Sequence, residues 1–218
     1  MSASTKPDTP PLELLRDGPG DASHALVLAH GAGLAMDAPF MTGIAERVAA
    51  AGIEVVRFDF PYMRVQRATG RKRAPNAPRI LLEAWWEVIA ALGDPSRLVI
   101  GGKSMGGRVA SAVADEAGVA GLVVLGYPFE PPTSNSGPRT GHLAELRTPM
   151  LICQGERDRF GGREEVAGYD LAPTVEFHWV PDGDHSFVPR KRSGHTLDEN
   201  LDGAADAVVR FIEGLRSG

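Results

Sequence analysis

Short apolar segments alternate with segments of helical periodicity along most of this chain. Six compact apolar runs are each typical of a buried strand, and they lie at 25–29, 53–58, 98–100, 121–125, 149–153 and 175–180. The segment 12–16 fits an edge strand or a helical turn. Because each run is too short for a helix and is bounded by Gly, Pro or polar residues, we interpret these runs as strands.

Helical spacing of apolar residues fills most of the intervals between these runs. Four helices are predicted, at 40–51, 80–92, 105–117 and 197–215, and Gly52 stands where a helix C-cap belongs. The segment 64–79 is rich in Arg and Pro and is predicted to be a long polar connection. Strands that alternate with helices indicate an α/β protein with a doubly wound, mostly parallel sheet and helices on both faces.

Length and composition narrow the class of protein further. The 218 residues suit one domain, which we place at 12–218 after a flexible polar leader at 1–11. A net charge of −5 argues against nucleic-acid or membrane partners, and no apolar run approaches transmembrane length. The single cysteine, Cys153, excludes an intramolecular disulfide and favours a cytoplasmic location. The oligomeric state is left open.

The third apolar run leads directly into a candidate nucleophile, Ser104. Residues 102–106 match G-x-S-x-G, a serine on a sharp turn between a strand and a helix. Glycines on both flanks leave room for a strained turn, and the following helix offers N–H groups to a developing oxyanion. A phosphate-binding loop would need glycine at position 97, where Arg97 stands, so the Gly-Lys-Ser run does not indicate nucleotide binding.

Candidate partners for Ser104 follow later strands, in the chain order serine, acid, histidine. Asp158 comes after the run 149–153, and His185 comes after the run 175–180. We predict His185 as the general base and Asp158 as the acid that orients it. The alternatives for the acid are Glu156, Asp182 and Asp184, and His195 is held in reserve as the base. His178 is predicted to be a structural residue within its strand.

A glycine-rich turn at 30–33 follows the first core strand, where a second oxyanion donor is expected. The backbone N–H of Met105 is predicted as one donor, and that of Ala32 or Gly33 as the other. Small residues at such a turn let a substrate oxygen approach the amides closely.

The surroundings of Ser104 are predicted to form an open, shallow pocket, because the connection 127–148 is too short for a cap domain. The predicted walls that could contact a substrate are Tyr62, Tyr127 and Phe187, with Arg64 as a basic contact. Arg64 belongs to a basic cluster at 64–73, and a second cluster follows at 190–192. These clusters are interpreted either as a guide for anionic substrates or as solvated loop charge.

Taken together, these segments resemble the α/β-hydrolase superfamily from His24 onward. More narrowly, four motifs resemble a compact branch with the KANL3/Tex30 proteins and small bacterial relatives of dienelactone hydrolases: RFDFPYM, GGKSMGGR, LGYPFEPP and GERDRFG. This resemblance implies a hydrolase without a defined substrate. Dienelactone hydrolases proper use a cysteine nucleophile, so that exact activity does not carry over to Ser104. The branch includes a chromatin-complex subunit, which adds a scaffold role as an alternative.

The function predicted from the sequence is hydrolysis of a carboxylic ester or related acyl bond through an acyl-Ser104 intermediate. The expected partner is a small-molecule acyl substrate, anionic in one interpretation, and neither a metal nor an organic cofactor is expected. The alternatives are a non-catalytic binding or scaffold protein with the same fold and a thioesterase or peptidase that uses the same residues.

Overall fold

The computed structural model describes residues 9–20, 22–130 and 139–215. A seven-stranded sheet in the order β1-β3-β2-β4-β5-β6-β7 lies at its centre, and every neighbouring pair is parallel except β1 with β3. The strands are β1 (Leu14–Asp17), β2 (Ala25–Ala29), β3 (Glu54–Phe58), β4 (Leu98–Lys103), β5 (Gly121–Leu125), β6 (Met150–Gly155) and β7 (Val175–Val180).

Helices cover both faces of this sheet. They are α1 (Pro39–Ala50), α2 (Pro61–Thr69), α3 (Pro78–Leu92), α4 (Met105–Ser111), α5 (Ala114–Ala117), α6 (Arg163–Val166) and α7 (Leu197–Leu215). The doubly wound, mostly parallel architecture predicted from the sequence is therefore confirmed.

The alternation of side chains along the strands divides the core into two layers. In β2, Leu26 and Leu28 face the layer built with α1 and α7, whereas Val27 and Ala29 face the layer built with α3 and α4. The side chains on both faces of β2 are buried, which explains why its sequence is continuously apolar rather than alternating. Ile44 and Val48 of α1 pack in the first layer, as their helical spacing predicts.

The prediction of an irregular connection at 64–79 is wrong for its first part. Helix α2 occupies Pro61–Thr69, with Pro61 at its start and Gly70 in the left-handed conformation at its end. The single helix predicted at 105–117 is also wrong, because the chain turns at Ala112 and Val113 between α4 and α5.

The connection from β5 to β6 is described only at 126–130 and 139–149. In those residues the regular structure is a single 3-10 turn, Gly141–Leu143. The predicted leader at 1–11 lies mostly outside the described residues, although the carbonyl of Pro10 accepts a hydrogen bond from Arg64. Among the helices that the structure describes, none combines the length and the hydrophobicity needed to traverse a bilayer.

Candidate active site

Ser104 lies at the junction of β4 and α4, near the middle of the sheet. Its backbone has φ 50° and ψ −113°, a conformation that residues with a Cβ rarely adopt. The Ser104 amide donates to the carbonyl of Leu125 at the end of β5 (3.1 Å). The strained turn is therefore held by its neighbouring strand, and it lifts the hydroxyl to the carboxyl edge of the sheet.

The glycines that flank Ser104 are required by the close approach of β2. A Cβ on Gly102 would lie 2.0 Å from the Ala29 carbonyl oxygen, and one on Gly106 would lie 2.5 Å from the same atom. Gly102 also has φ +145°. Any side chain at either position would push β4 and α4 away from β2, which explains the G-x-S-x-G spacing.

Ser104, His185 and Asp158 form a hydrogen-bonded row, which we call the Ser–His–Asp row. Nε2 of His185 lies 2.9 Å from the Ser104 hydroxyl oxygen, and its Nδ1 lies 2.7 Å from Oδ2 of Asp158. The Asp158 side chain is fully buried, and that of His185 is 22% exposed. Because both imidazole nitrogens are engaged, the ring orientation is fixed, and the structure brings together the three residues that the sequence predicted.

Asp158 is held by two donors besides His185. The Gln154 amide nitrogen donates to its Oδ2 (3.0 Å), and the Phe160 backbone N–H donates to its Oδ1 (2.9 Å). A buried carboxylate with three hydrogen bonds keeps one geometry, and it favours the Nδ1–H tautomer of His185.

The alternative acids make other contacts. Glu156 accepts from Arg163 and from the Asp182 amide, and Asp182 pairs with Arg190 and Arg157. Asp184 accepts from the amides of Ser186 and Val188, so it shapes the turn that carries His185. The reserve base His195 is exposed in the turn before α7.

Three residues that support the row were not predicted from the sequence. A Cβ on Gly126 would lie 3.3 Å from Cε1 of His185 and 2.8 Å from Nζ of Lys103, so only glycine leaves room there. The ring of Phe160 packs edge-on against the His185 ring, with centroids 4.6 Å apart. The family-like motif LGYPFEPP contains Gly126, yet the sequence alone does not show that the histidine turn packs on it.

Lys103 is the third of these residues and lies beneath the row. Its side chain is buried, and its Nζ donates to the His185 carbonyl (2.6 Å) and lies 5.4 Å from the Phe40 ring centroid. Burial lowers the pKa of Lys103 to about 8, and the charges of Asp158 and Asp184 oppose that shift. The ammonium group thus anchors the histidine turn from inside the protein.

The predicted oxyanion donors lie on the two turns beside Ser104. Met105 is the first residue of α4, so its N–H has no acceptor within the helix. The Gly33 amide donates to the Tyr62 hydroxyl (3.4 Å), whereas the Ala32 amide has no acceptor among the described residues. Of the two alternatives left open by the sequence, Ala32 is therefore the freer donor.

His30 fixes the turn that carries Ala32. Its Nε2 accepts from the Phe60 amide (3.0 Å), so its Nδ1 carries the proton and donates to the Gly31 carbonyl (2.9 Å). Burial lowers the pKa of His30 below its usual value, which keeps the ring neutral. His30 therefore ties the end of β2 to the end of β3 and is a structural residue of the site.

The predicted substrate contacts occupy different environments. Tyr62 is buried, with its hydroxyl beside the turn of Gly33. Tyr127 and Phe187 are fully buried in the core, so neither ring offers a surface to a substrate. Arg64 is also buried and pairs with Glu87 (2.7 Å). The physical reason is that aromatic and basic residues at strand ends cover the core as readily as they line a pocket.

Two other kinds of group were candidates for a functional role, the Cys153 thiol and clusters of metal-ligating side chains. Cys153 is buried in β6, and burial raises the pKa of its thiol to about 12, so it is a packing residue. Within the described ranges, no group of three or more His, Cys, Asp or Glu side chains is arranged to hold a metal ion.

The fold and the Ser–His–Asp row together are those of the α/β hydrolases. Residues 22–213 match the sequence profile of the family described as "Alpha/beta hydrolase domain". The chain therefore belongs to the α/β-hydrolase family.

Solved structures of bacterial hydrolases are similar to this chain in fold. A serine hydrolase homologue from Coxiella burnetii is 22% identical with a TM-score of 0.66, and the match covers 91% of this chain and 90% of that chain. A lid-less serine hydrolase from Xanthomonas campestris is also 22% identical (TM-score 0.62, 93% and 90% covered). A dienelactone hydrolase from Anabaena variabilis is 19% identical (TM-score 0.69, 93% and 91% covered).

Proposed function

We propose that this protein is a serine hydrolase that cleaves a carboxylic ester or a related acyl bond through an acyl-Ser104 intermediate. The observation that carries the proposal is the Ser–His–Asp row, with 2.9 Å and 2.7 Å between its polar atoms and Ser104 at φ 50°. Both distances are within the hydrogen-bond reach that a nucleophile, its base and an orienting acid require.

In the first half of the reaction, Ser104 Oγ attacks the substrate carbonyl carbon while Nε2 of His185 takes the hydroxyl proton. Asp158 stabilises the imidazolium that forms, because its carboxylate accepts from Nδ1. The negative charge on the tetrahedral oxygen is stabilised by the amides of Met105 and Ala32. Collapse of this intermediate expels the alcohol, which leaves with the proton from His185.

In the second half, water replaces the alcohol. His185 removes a proton from the water, whose oxygen attacks the acyl carbon, and the same two amides stabilise the second tetrahedral intermediate. Release of the carboxylic acid returns the proton to Ser104. The row supplies every proton transfer in this cycle, so the cycle is complete with the residues of this chain.

We prefer ester hydrolysis to the thioesterase and peptidase alternatives because a small ester needs the fewest contacts with the protein besides those at its carbonyl group. Ser104 and Met105 are half-buried and Ala32 is exposed, which is consistent with an open site for a small substrate. The narrower resemblance to the KANL3/Tex30 branch and the cytoplasmic location remain predictions.

The test is labelling with a fluorophosphonate probe, which reacts with activated serines. The parent protein, Ser104→Ala and His185→Ala are compared, and His195→Ala is the matched histidine control. We expect labelling of the parent and of His195→Ala, and loss of labelling in the other two variants. Hydrolysis of 4-nitrophenyl butyrate should follow the same pattern.

A folded parent protein that stays unlabelled would overturn the enzymatic proposal and leave the scaffold alternative. Labelling that persists in Ser104→Ala would place the reactive serine elsewhere. Circular dichroism of each variant separates loss of reactivity from loss of fold.

A further inference from the structure

Two arginines beside α4 have no acidic partner among the described residues. Arg108 lies on α4 and Arg139 lies in the connection that leads to β6, and neither makes a salt bridge with a described carboxylate. Nε of Arg108 is buried without a hydrogen-bond partner in the described structure. The neighbouring residues 131–138, which the structure does not describe, contain no Asp or Glu in the sequence.

Hydrogen bonds gather these arginines and three polar residues into one cluster. The Tyr127 hydroxyl donates to the Arg139 carbonyl (2.9 Å) and lies near Ser111. The Ser111 hydroxyl donates to the Arg108 carbonyl (2.8 Å) and lies 2.9 Å from Nε2 of His142. Tyr127 therefore places the backbone of Arg139 near α4, and the positive charge of Arg139 acts on Arg108.

The cluster lies one helical turn from the nucleophile. The Arg108 amide donates to the Ser104 carbonyl (3.0 Å), so the two residues stand four positions apart on the same face of the helix. Side chains on a helix lean toward its N-terminus, and here that direction leads back to Ser104. From this lean we expect the Arg108 side chain to extend along the first turn of α4.

Two neighbouring arginines without an acidic partner among the described residues repel each other, and an anion between them would relieve that repulsion. Burial and the charge of Arg139 lower the pKa of Arg108, although an arginine keeps its proton at neutral pH. Burial also lowers the pKa of His142, so this ring adds no positive charge. An oxygen anion would be neutralised by both arginines at once.

We propose that Arg108 and Arg139 bind an anionic oxygen group of the substrate, a carboxylate or a phosphate, while Ser104 attacks its ester bond. This inference deepens the proposed function and rests on it. Three of the basic residues predicted from the sequence to guide an anion are engaged elsewhere. Arg64 is paired with Glu87, Arg67 with Asp59 and Arg190 with Asp182. The unpaired arginines beside α4 take that role instead.

The kinetic test uses esters that match in shape and differ in charge. Mono-4-nitrophenyl succinate is compared with 4-nitrophenyl butyrate for an anion on the acyl side, and 4-acetoxybenzoate with phenyl acetate for one on the alcohol side. We expect the parent to prefer the charged member of at least one pair in kcat/KM. Arg108→Gln should lower that preference, expressed as the ratio of kcat/KM for the charged ester to kcat/KM for the neutral one, roughly tenfold to a hundredfold, the range for losing a charged hydrogen bond.

Arg79→Gln is the matched control, because Arg79 lies on the surface of α3 and pairs only with Glu83 among the described residues. It should leave both preferences unchanged. Rising salt should reduce the preference of the parent for the charged ester, because screening weakens the attraction between the arginines and an anion that approaches from solvent. Equal use of charged and neutral esters by the parent, or a preference that survives in Arg108→Gln, would overturn the inference.

A binding measurement keeps the inference testable apart from catalysis. Ser104→Ala is titrated by NMR with monomethyl succinate and separately with inorganic phosphate, and the titrations are repeated with Arg108→Gln added. Binding of either anion that is lost with Arg108→Gln supports the site and shows which anion it takes. Binding of neither overturns the site, whereas absent labelling of the parent overturns the proposed function alone.

Discussion

The turns that follow β3 and β4 lie on either side of β2, yet they handle charge in opposite ways. After β3, Arg67 pairs with Asp59 (2.5 Å) and with Asp37 (2.7 Å), and Asp59 also accepts from the Met36 amide. At the end of β4, Lys103 is buried with a carbonyl as its acceptor, and Arg108 in the following helix has no acidic partner in the part of the chain that the structure describes. Charged side chains that pair with a carboxylate of the same chain stabilise the fold. Charged side chains without such a carboxylate can still interact with a ligand or support the residues around Ser104.

The largest effect expected from this contrast is that of Asp158→Asn. The asparagine amide would present an N–H to His185 and favour the wrong tautomer, so kcat should fall on the order of 10⁴-fold while the fold is kept. Esterase kinetics with 4-nitrophenyl butyrate measure the loss. Asp59→Asn is the matched substitution after β3, and it should cost stability and leave kcat within about tenfold of the parent. A reversed outcome for the two variants would break the contrast.

A second prediction concerns the buried charge of Lys103. Below pH 8 the folded protein holds a charged lysine at a desolvation cost, and between pH 8 and the unfolded value of 10.5 only the unfolded chain keeps that proton. The free energy of unfolding of the parent should therefore rise with pH relative to Lys103→Met, by about 3 kcal/mol between pH 7 and pH 10.5.

Urea unfolding of both proteins across this pH range measures the difference between them. The comparison cancels groups that titrate in both proteins. A difference that stays constant with pH would show that the Lys103 ammonium is not desolvated as the structure indicates.

The smallest effect is expected for Arg67→Met on the β3 side. Removing this partly exposed guanidinium leaves Asp59 buried with the Met36 amide as a donor, and the variant should lose about 2 kcal/mol of stability. Arg79→Met on the exposed face of α3 should stay within about 0.5 kcal/mol of the parent. Denaturant midpoints provide the measurement, and equal losses in the two variants would show that the Asp59 pair contributes nothing particular.

Most of the sheet could be predicted from the sequence because its inner strands, β2 to β6, are buried on both faces and read as apolar runs. Strands Ala25–Ala29, Gly121–Leu125 and Val175–Val180 have the bounds that the pattern predicted. Helix α2 was missed because its arginines obscure the apolar face formed by Tyr62, Met63 and Val65. The signal that could have found it is Pro61 at the first helical position, with Gly70 after the last.

The Ser–His–Asp row could be predicted because each of its residues follows an apolar run in the sequence, and the ends of parallel strands lie at the same edge of the sheet. Its supports were not, because Lys103, Gly126 and Phe160 act through contacts between segments far apart in the chain. In the same way, sequence could not tell that Phe187 belongs to the core and that Arg64 is paired, since pairing is a property of three-dimensional neighbours.

Ser104 and His185 are far apart along the chain, so the site cannot assemble until late in synthesis. The two residues are 81 positions apart, and β7 and its following turn must join the sheet before they meet. At about 5–20 residues per second, the ribosome adds His185 roughly 4 to 16 s after Ser104. Under the proposed function, a growing chain therefore carries Ser104 without its base, and hydrolytic activity becomes possible only when the last strand is in place.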